Sequence, residues 1–342
     1  MKIGIVTIYE PTTNYGSFLQ AYALARTIQK MGHSVLFVEI QPKWRSISHL
    51  ITKLNPKRAL FMRLRKAYHA YSDLSRIKCV PASKINDEHF DALIYGSDEI
   101  WNLNNRYFLN DTFWGLDIID NTKKIAYAPS VGHSTLQQFK SDIVHSQAIK
   151  GFNHIFPRDE NTKVVVDTIS RIDSEIVCDP TILAPLSELS LPIKLSKEKY
   201  LLAYTYGIDN QTIELLTRFA QEERLKIVTP CFWHKWSNHS IACSALQLST
   251  LMANAEYVFT TTFHGAMFAL LNHTNCAILP LRPKVSDLVL RLGQNSRLLP
   301  DGCSYSTFKT IITSPFDNST FDCIVNDVRD KSLKLLSDSL MN

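Results

Sequence analysis

The stretch Tyr257–Leu271, YVFTTTFHGAMFALL, decides the fold. Tyr257-Val258-Phe259 reads as a buried strand. Met267, Leu270 and Leu271 fall at helical spacing. His264 and Gly265 therefore stand where the C-terminal end of a strand hands over to a helix. In open α/β sheets ligands bind at that edge. A helix start also presents free N–H groups and a positive dipole end to an anion.

The rest of the chain repeats the pattern. KIGIVTI reads as a strand, followed by a loop and a helix from Phe18 to Met31 that Gly32 ends. SVLFVEI, FDALIYGSD and KKIAYAPSVG read as strands. A helix near Thr135 to Ile149 leads into HIFPRDE, a further helix and EIVCDPTIL. The Pro-rich DPTILAPLSELSLPIKLS reads as a linker. Beyond it come strand KYLLAYTYG, helix NQTIELLTRFAQEE, strand LKIVTP, helix SALQLSTLMANA, the opening stretch, strand NCAILPL, helix KVSDLVLRLG and a last helix from Cys323 to Leu340. Strands alternating with helices in two halves predict two Rossmann-like parallel-sheet α/β domains, residues 1–185 and 186–342, facing a cleft.

The 342 residues suffice for two such cores, with ordinary apolar (45%) and charged (20%) content. No apolar run is long enough to span a bilayer, and MKIGIVTIY reads as a strand rather than a signal peptide. Seven scattered cysteines without a CxxC pair suit reduced thiols in a cytoplasm. Residues 43–78 carry ten Lys/Arg against one acid, Asp73; that segment is +9 within a chain of +5, leaving −4 elsewhere. It reads as a solvated helical face, or as a surface for anionic lipid at the inner face of the membrane. Leu54, Leu60, Phe61, Leu64 and Tyr68 give it an apolar side suited to a membrane or to a second subunit. It lacks a nucleic-acid-binding motif.

Four clusters fall at predicted strand ends. In NYGSFLQAYAL, Gly16 allows close backbone approach, Ser17 is a candidate N-cap, and Asn14 and Tyr15 are candidate ligand contacts; the stretch reads equally as a capped βα turn. In YGSDEIWN, Asp98 or Glu99 could exchange a proton with a sugar hydroxyl, and Trp101 could stack on a sugar ring beside Asn102. The same residues read as a helix cap and a core tryptophan. In FPRDEN, Arg158 could fork a carboxylate or phosphate, or form a structural Arg–Asp pair. His264-Gly265 is the fourth cluster. Cys231, His234, His239 and Cys243 have a spacing that zinc could use, but an acceptor-side loop is the favoured reading and no metal is expected.

Taken in order, NYGSFLQAYAL, YGSDEIWN, IAYAPSVG, PRDE, VCDPTIL, FTTTFHGAMFALL, KVSDLVLRLGQNSR and RDKSLKLL resemble the polysaccharide pyruvyl transferase family. That resemblance implies a two-domain fold like the B-type glycosyltransferases, with the site between the halves. It implies transfer of pyruvate from phosphoenolpyruvate, a co-substrate needing no cofactor, onto two sugar hydroxyls as a cyclic ketal. The pathway would be exopolysaccharide, capsule or cell-wall polymer synthesis, with a lipid-linked or nucleotide-linked acceptor. On this reading His264 and the helix start at Gly265 hold the departing phosphate, and Arg158 holds the donor carboxylate. Asp98, Glu99 and Glu160 are the candidate acids and bases. Gly16 and Ser17 join the donor side, and Asn14, Tyr15, Trp101 and Asn102 face the sugar. The chain departs from the family pattern at Thr262, where members tend to carry Arg two residues before the histidine, and at Lys284, another position where Arg is common. Lys284, Arg282 or Arg291 would then compensate. Two other readings remain: a glycosyltransferase using a nucleotide sugar in the same cleft, and a non-catalytic member of a polymer assembly.

Overall fold

The computed structural model describes residues 1–12, 14–40, 57–119, 121–195, 197–230 and 233–341, with 57–63 as backbone only. Among them the first sheet holds β1 (Lys2–Val6), β2 (Ser34–Glu39), β3 (Cys79–Pro81), β4 (Ala92–Tyr95), β5 (Lys123–Tyr127) and β6 (His154–Phe156), in the order β3-β2-β1-β4-β5-β6. The second holds β7 (Tyr200–Tyr204), β8 (Lys226–Pro230), β9 (His239–Ile241), β10 (Tyr257–Thr260) and β11 (Cys276–Ile278), in the order β11-β10-β7-β8-β9. Both sheets are parallel. Their central strands are buried on both faces, as Ala92–Tyr95 and Tyr200–Tyr204 are throughout, which is why they read as continuous apolar runs.

The helices are α1 (Tyr15–Lys30), α2 (Lys57–Leu74), α3 (Leu136–Ser141), α4 (Ile143–Lys150), α5 (Glu160–Ser170), α6 (Pro180–Leu183), α7 (Asn210–Glu222), α8 (Ala245–Ala253), α9 (Phe263–Leu271), α10 (Pro283–Arg291), α11 (Tyr305–Thr313) and α12 (Asn318–Met341). Strand order places the site. In the first sheet β1 pairs with β2 on one side and β4 on the other, so the chain leaves its strands in opposite directions there. In the second, β7 is flanked by β10 and β8. These are the switch points where connections diverge and a crevice opens at the strand ends. The loops after β1 and β4, and those after β7 and β10, occupy these two crevices.

Several expectations are corrected. The helix expected over 135–149 divides at Asp142, whose side chain accepts from the His145 N–H and caps α4. The stretch expected to be a linker opens instead with a buried helical turn, because Pro180 fits a first helical position and Asp179 caps it. The last helix begins at Asn318 and returns to that turn: Ser332 Oγ accepts from the Cys178 N–H, and Arg329 Nε donates to the Ile182 carbonyl. β3, β9 and α11 were not anticipated; the two strands are short edge strands with little alternation to read.

Candidate active site

The site begins with three threonines. Thr260 Oγ1 donates to the Tyr204 carbonyl at 2.8 Å, Thr261 Oγ1 lies 2.9 Å from Thr205 Oγ1, and Thr262 Oγ1 accepts from the Gly265 N–H at 3.0 Å as the N-cap of α9. They tie the end of β10 to the end of β7 and fix where the helix starts. Gly265 is required by closeness: a side chain there would overlap Thr260 Oγ1 and come within 2.5 Å of Thr262 Oγ1.

His264, the next side chain out, crosses to the first half. Its Nε2 lies 3.8 Å from Asp179 Oδ2, a distance of charge attraction rather than hydrogen bonding, and the nitrogen is buried without a hydrogen-bond partner. Arg158 reaches the same carboxylate oxygen through one guanidinium nitrogen at 3.3 Å. Its other terminal nitrogen lies 3.9 Å from Asp98 Oδ1. The guanidinium sits over the Phe263 ring, 5.2 Å from its centre. Burial alone would raise the Asp179 carboxyl; His264 and Arg158 more than reverse this and hold it well below the usual carboxylate range. For Arg158 burial opposes the charge, and Asp98 and Asp179 restore it and push its pKa up. Asp98 itself is held in left-handed backbone, φ 78°, by a bond from the Ser130 N–H to its carbonyl.

A second ion pair spans the halves. Lys284 Nζ, in the first turn of α10, donates to Glu99 Oε1 at 2.8 Å, and Asn102 Nδ2 donates to Glu99 Oε2 at 3.2 Å. Burial pushes the Glu99 carboxyl up, but Lys284 and Arg158 win and its pKa is lowered, so Glu99 is a carboxylate at neutral pH. Beside this cluster lies a cavity of about 370 Å³ lined by Arg158, Asp179, Lys284, Arg291 and Lys331 among apolar residues such as Phe263 and Met267. Arg291 also donates to the Arg158 carbonyl at 2.9 Å.

The structure thus brings together His264, Asp98, Glu99, Arg158, Lys284 and Asn102. Glu160 is exposed at the start of α5, on the cavity wall. Arg282 is exposed and caps α10 by backbone alone. Gly16 packs directly on the His264 ring. Ser17 is buried and bonded to the Glu10 and Asn14 carbonyls, while the Asn14 side chain accepts from the Ser17 N–H, so both serve the βα turn. Thr262 is committed to capping. Two candidates are corrected. Trp101, expected to stack on a sugar, is fully buried, stacked on Trp114 with Nε1 donating to the Phe113 carbonyl. Tyr15 is buried and its hydroxyl donates to the Cys243 carbonyl. Both aromatic rings fill cores instead of the cleft.

Exposed rings occur in the loops of the second half. Tyr206, after β7, and Trp233, after β8, are 53% and 50% exposed. Cys231 lies outside the described residues; His234 stacks on Trp236, His239 is exposed on β9, and Cys243 is buried. Among the described residues no group of three His, Cys, Asp or Glu could hold a metal.

Asp179 is the residue that sequence reasoning missed. Its signal was Asp-Pro-Thr after an apolar run, which reads as a helix cap. Asp179 Oδ1 does cap, accepting from Thr181, while Oδ2 faces His264 and Arg158.

Two parallel-sheet domains with a polar cluster between their strand ends define a protein of the B-type glycosyltransferase architecture, which epimerases of nucleotide sugars share. Similar solved structures include UDP-GlcNAc 2-epimerase from Neisseria meningitidis bound to UDP-GlcNAc (TM-score 0.60, 11% identity, 100% of each chain covered). The UDP-GlcNAc 2-epimerase from Methanocaldococcus jannaschii gives TM-score 0.55, 13% identity and 94% of each chain covered. An alpha-glucosyltransferase in complex with UDP and DNA gives TM-score 0.52, 10% identity and 100% of each chain covered. At these identities the likeness is one of fold. No curated protein matches the sequence. The sequence does match the polysaccharide pyruvyl transferase family over residues 14–281, most of the chain, and the protein belongs to that family. Among the described residues no helix is long and apolar enough to cross a membrane.

Proposed function

We propose that the cleft transfers pyruvate from phosphoenolpyruvate to two hydroxyls of one sugar, forming a cyclic ketal and releasing phosphate. The observation that carries this reading is the convergence of His264, Arg158 and Asp179 from three separate elements of both halves, with His264 Nε2 buried and unpartnered. The donor carries a carboxylate and a phosphate. Arg158, Lys284 and Arg291 supply cations on the cavity wall where the family's usual Arg is replaced by Thr262. The start of α9 and His264 face the phosphate.

The chemistry runs in two additions. A proton goes to the methylene carbon of the donor, and the first hydroxyl oxygen bonds to the central carbon as its own proton leaves. The carbon–oxygen bond to phosphate then breaks, phosphate departs with the electron pair, and the second hydroxyl closes the ketal as its proton leaves. His264 is the proposed proton donor. Glu99, kept ionised by Lys284, is the proposed base for a hydroxyl, with Asp98 beside it. Tyr206 and Trp233 take the sugar-stacking role on the second half. Membership of the polysaccharide pyruvyl transferase family supports a role in polymer biosynthesis, and the proposed acceptor is lipid-linked or nucleotide-linked.

The test is acceptor-dependent phosphate release from phosphoenolpyruvate, with thermal stability read in parallel. The wild type should gain stability with phosphoenolpyruvate, and His264→Ala should lose both the gain and the release. A shift with nucleoside diphosphates alone would overturn this reading and favour transfer from a nucleotide sugar. That second reading draws on the cavity of about 280 Å³ between the loops after β7 and β11, lined by Gly207, Asp209, Leu281 and Gly302. It also draws on the nucleotide-bound relatives of the fold.

A further inference from the structure

We propose that the outer face of α2 is an in-plane contact for an anionic lipid bilayer. The helix has two opposed faces. Lys66, Ala70, Asp73, Leu74 and Ile77, in and just after the helix, are buried toward the body of the protein. Leu64, Tyr68 and Tyr71, at i, i+4 and i+7, lie on the opposite side and are 52%, 71% and 66% exposed. Three large apolar side chains in one solvent-facing row are unusual for a surface helix, whose outer face is normally polar.

The charge pattern selects the occupant. Between Lys57 and Lys78 the sequence carries seven Lys/Arg and one acid. That acid, Asp73, is turned inward: it is fully buried and its Oδ2 accepts from the Ala245 N–H of α8 at 2.7 Å. Lys66 also points inward, over the Tyr15 ring. Arg65 turns to a cavity shared with Glu198 of the second half, so the exposed charges flanking the row from Leu64 onward are Arg76 and Lys78, both positive. Tyrosines with cations beside them match the headgroup layer, where the ring sits among acyl chains and the charge meets lipid phosphate. A second copy of the chain would bring these cations against their own counterparts, a like-charge contact that disfavours a dimer here. Because Asp73 pins α2 to the second half, the face is presented as a rigid surface. On the proposed reading of the cleft, this surface would bring the enzyme to a lipid-linked acceptor. Binding is nevertheless measured without any reaction, so its failure and that of the transfer reading are separable.

The experiment is flotation of the full chain with vesicles of phosphatidylcholine alone and with phosphatidylglycerol added. The expected result is binding to the anionic vesicles only, weakened by salt. Tyr68→Ser with Tyr71→Ser should lower that binding about tenfold, since each ring contributes apolar area. Arg76→Gln with Lys78→Gln should lower it about thirtyfold. Unchanged melting temperatures would show that the variants remain folded, as the exposure of these side chains predicts. Equal binding to both vesicle types, no binding, or binding indifferent to both double variants would overturn the proposal. So would a mass in solution that doubles and returns to monomer in the tyrosine variant, which would assign the face to a second copy.

Discussion

Gly16 lies against His264 so closely that a side chain on the glycine would overlap the ring Nδ1. The first turn of α1, in one half, therefore sets the position of a histidine presented by the other. Gly16→Ala is expected to push the ring aside at a cost of about 1–3 kcal/mol in stability. A shift of about an ångström in a reacting group costs about a hundredfold in rate. Phosphate release should fall by about that factor, while circular dichroism stays near wild type and the melting temperature falls by only a few degrees.

Asp179→Asn should be more harmful to the fold. Removing the carboxylate leaves Arg158 buried with a single ion pair, the longer one to Asp98, a loss of about 3 kcal/mol. The folded pKa of Asp179 is depressed, so its contribution is fully present above the unfolded value, about 3.9. The stability gap between wild type and Asp179→Asn in urea titrations should be flat from neutral pH down to about 5. It should narrow only as pH falls further toward the folded value.

Asp73 has the opposite sign. Burial raises its carboxyl to about 6, although the Ala245 N–H opposes the shift, and Oδ1 has no hydrogen-bond partner. The ionised form is therefore disfavoured in the folded state, and its cost is absent below the unfolded pKa and complete above the folded one. Asp73→Asn should stabilise the protein by up to about 3 kcal/mol at pH 7.5, with the gain disappearing toward pH 4. Chemical denaturation across that range is the check. A constant difference would mean that the Asp73 carboxyl titrates alike in the folded and unfolded states.

Thr262 tests whether the position lost from the family pattern contacts the donor. Its hydroxyl caps α9, so Thr262→Ala should cost about 1 kcal/mol of stability. Thr262→Ser should restore it. A KM for phosphoenolpyruvate that rises tenfold in Thr262→Ser, with stability intact, would instead give the methyl-bearing side chain a place against the donor.

Tyr206→Ala and Trp233→Ala remove exposed rings and should leave melting temperature unchanged. Each is expected to raise the acceptor KM several-fold through lost stacking, about 1 kcal/mol, without moving the KM for the donor. Trp101→Phe should do the reverse, lowering stability through the core while sparing KM for the acceptor.

The sequence by itself determined the alternation of strands and helices, the two-sheet architecture and the junction at His264. These are written in local periodicity: YVF and FHGAMFALL announce a buried strand and a helix whatever surrounds them. It also contained the acids, the arginine and the histidine of the site. Only the tertiary structure decided which of them face one another. Trp101 and Tyr15 read as ligand contacts because polar atoms on aromatic rings suit sugars, yet the same rings suit a core once Phe113 and Cys243 offer them carbonyls. Asp179 opened a stretch that read as a linker; Oδ1 caps a helical turn there, and nothing local reports where Oδ2 points. That depends on strand order and on how the two halves close. The contacts Asp179–His264 and Glu99–Lys284 join residues far apart in sequence, so no local pattern encodes them.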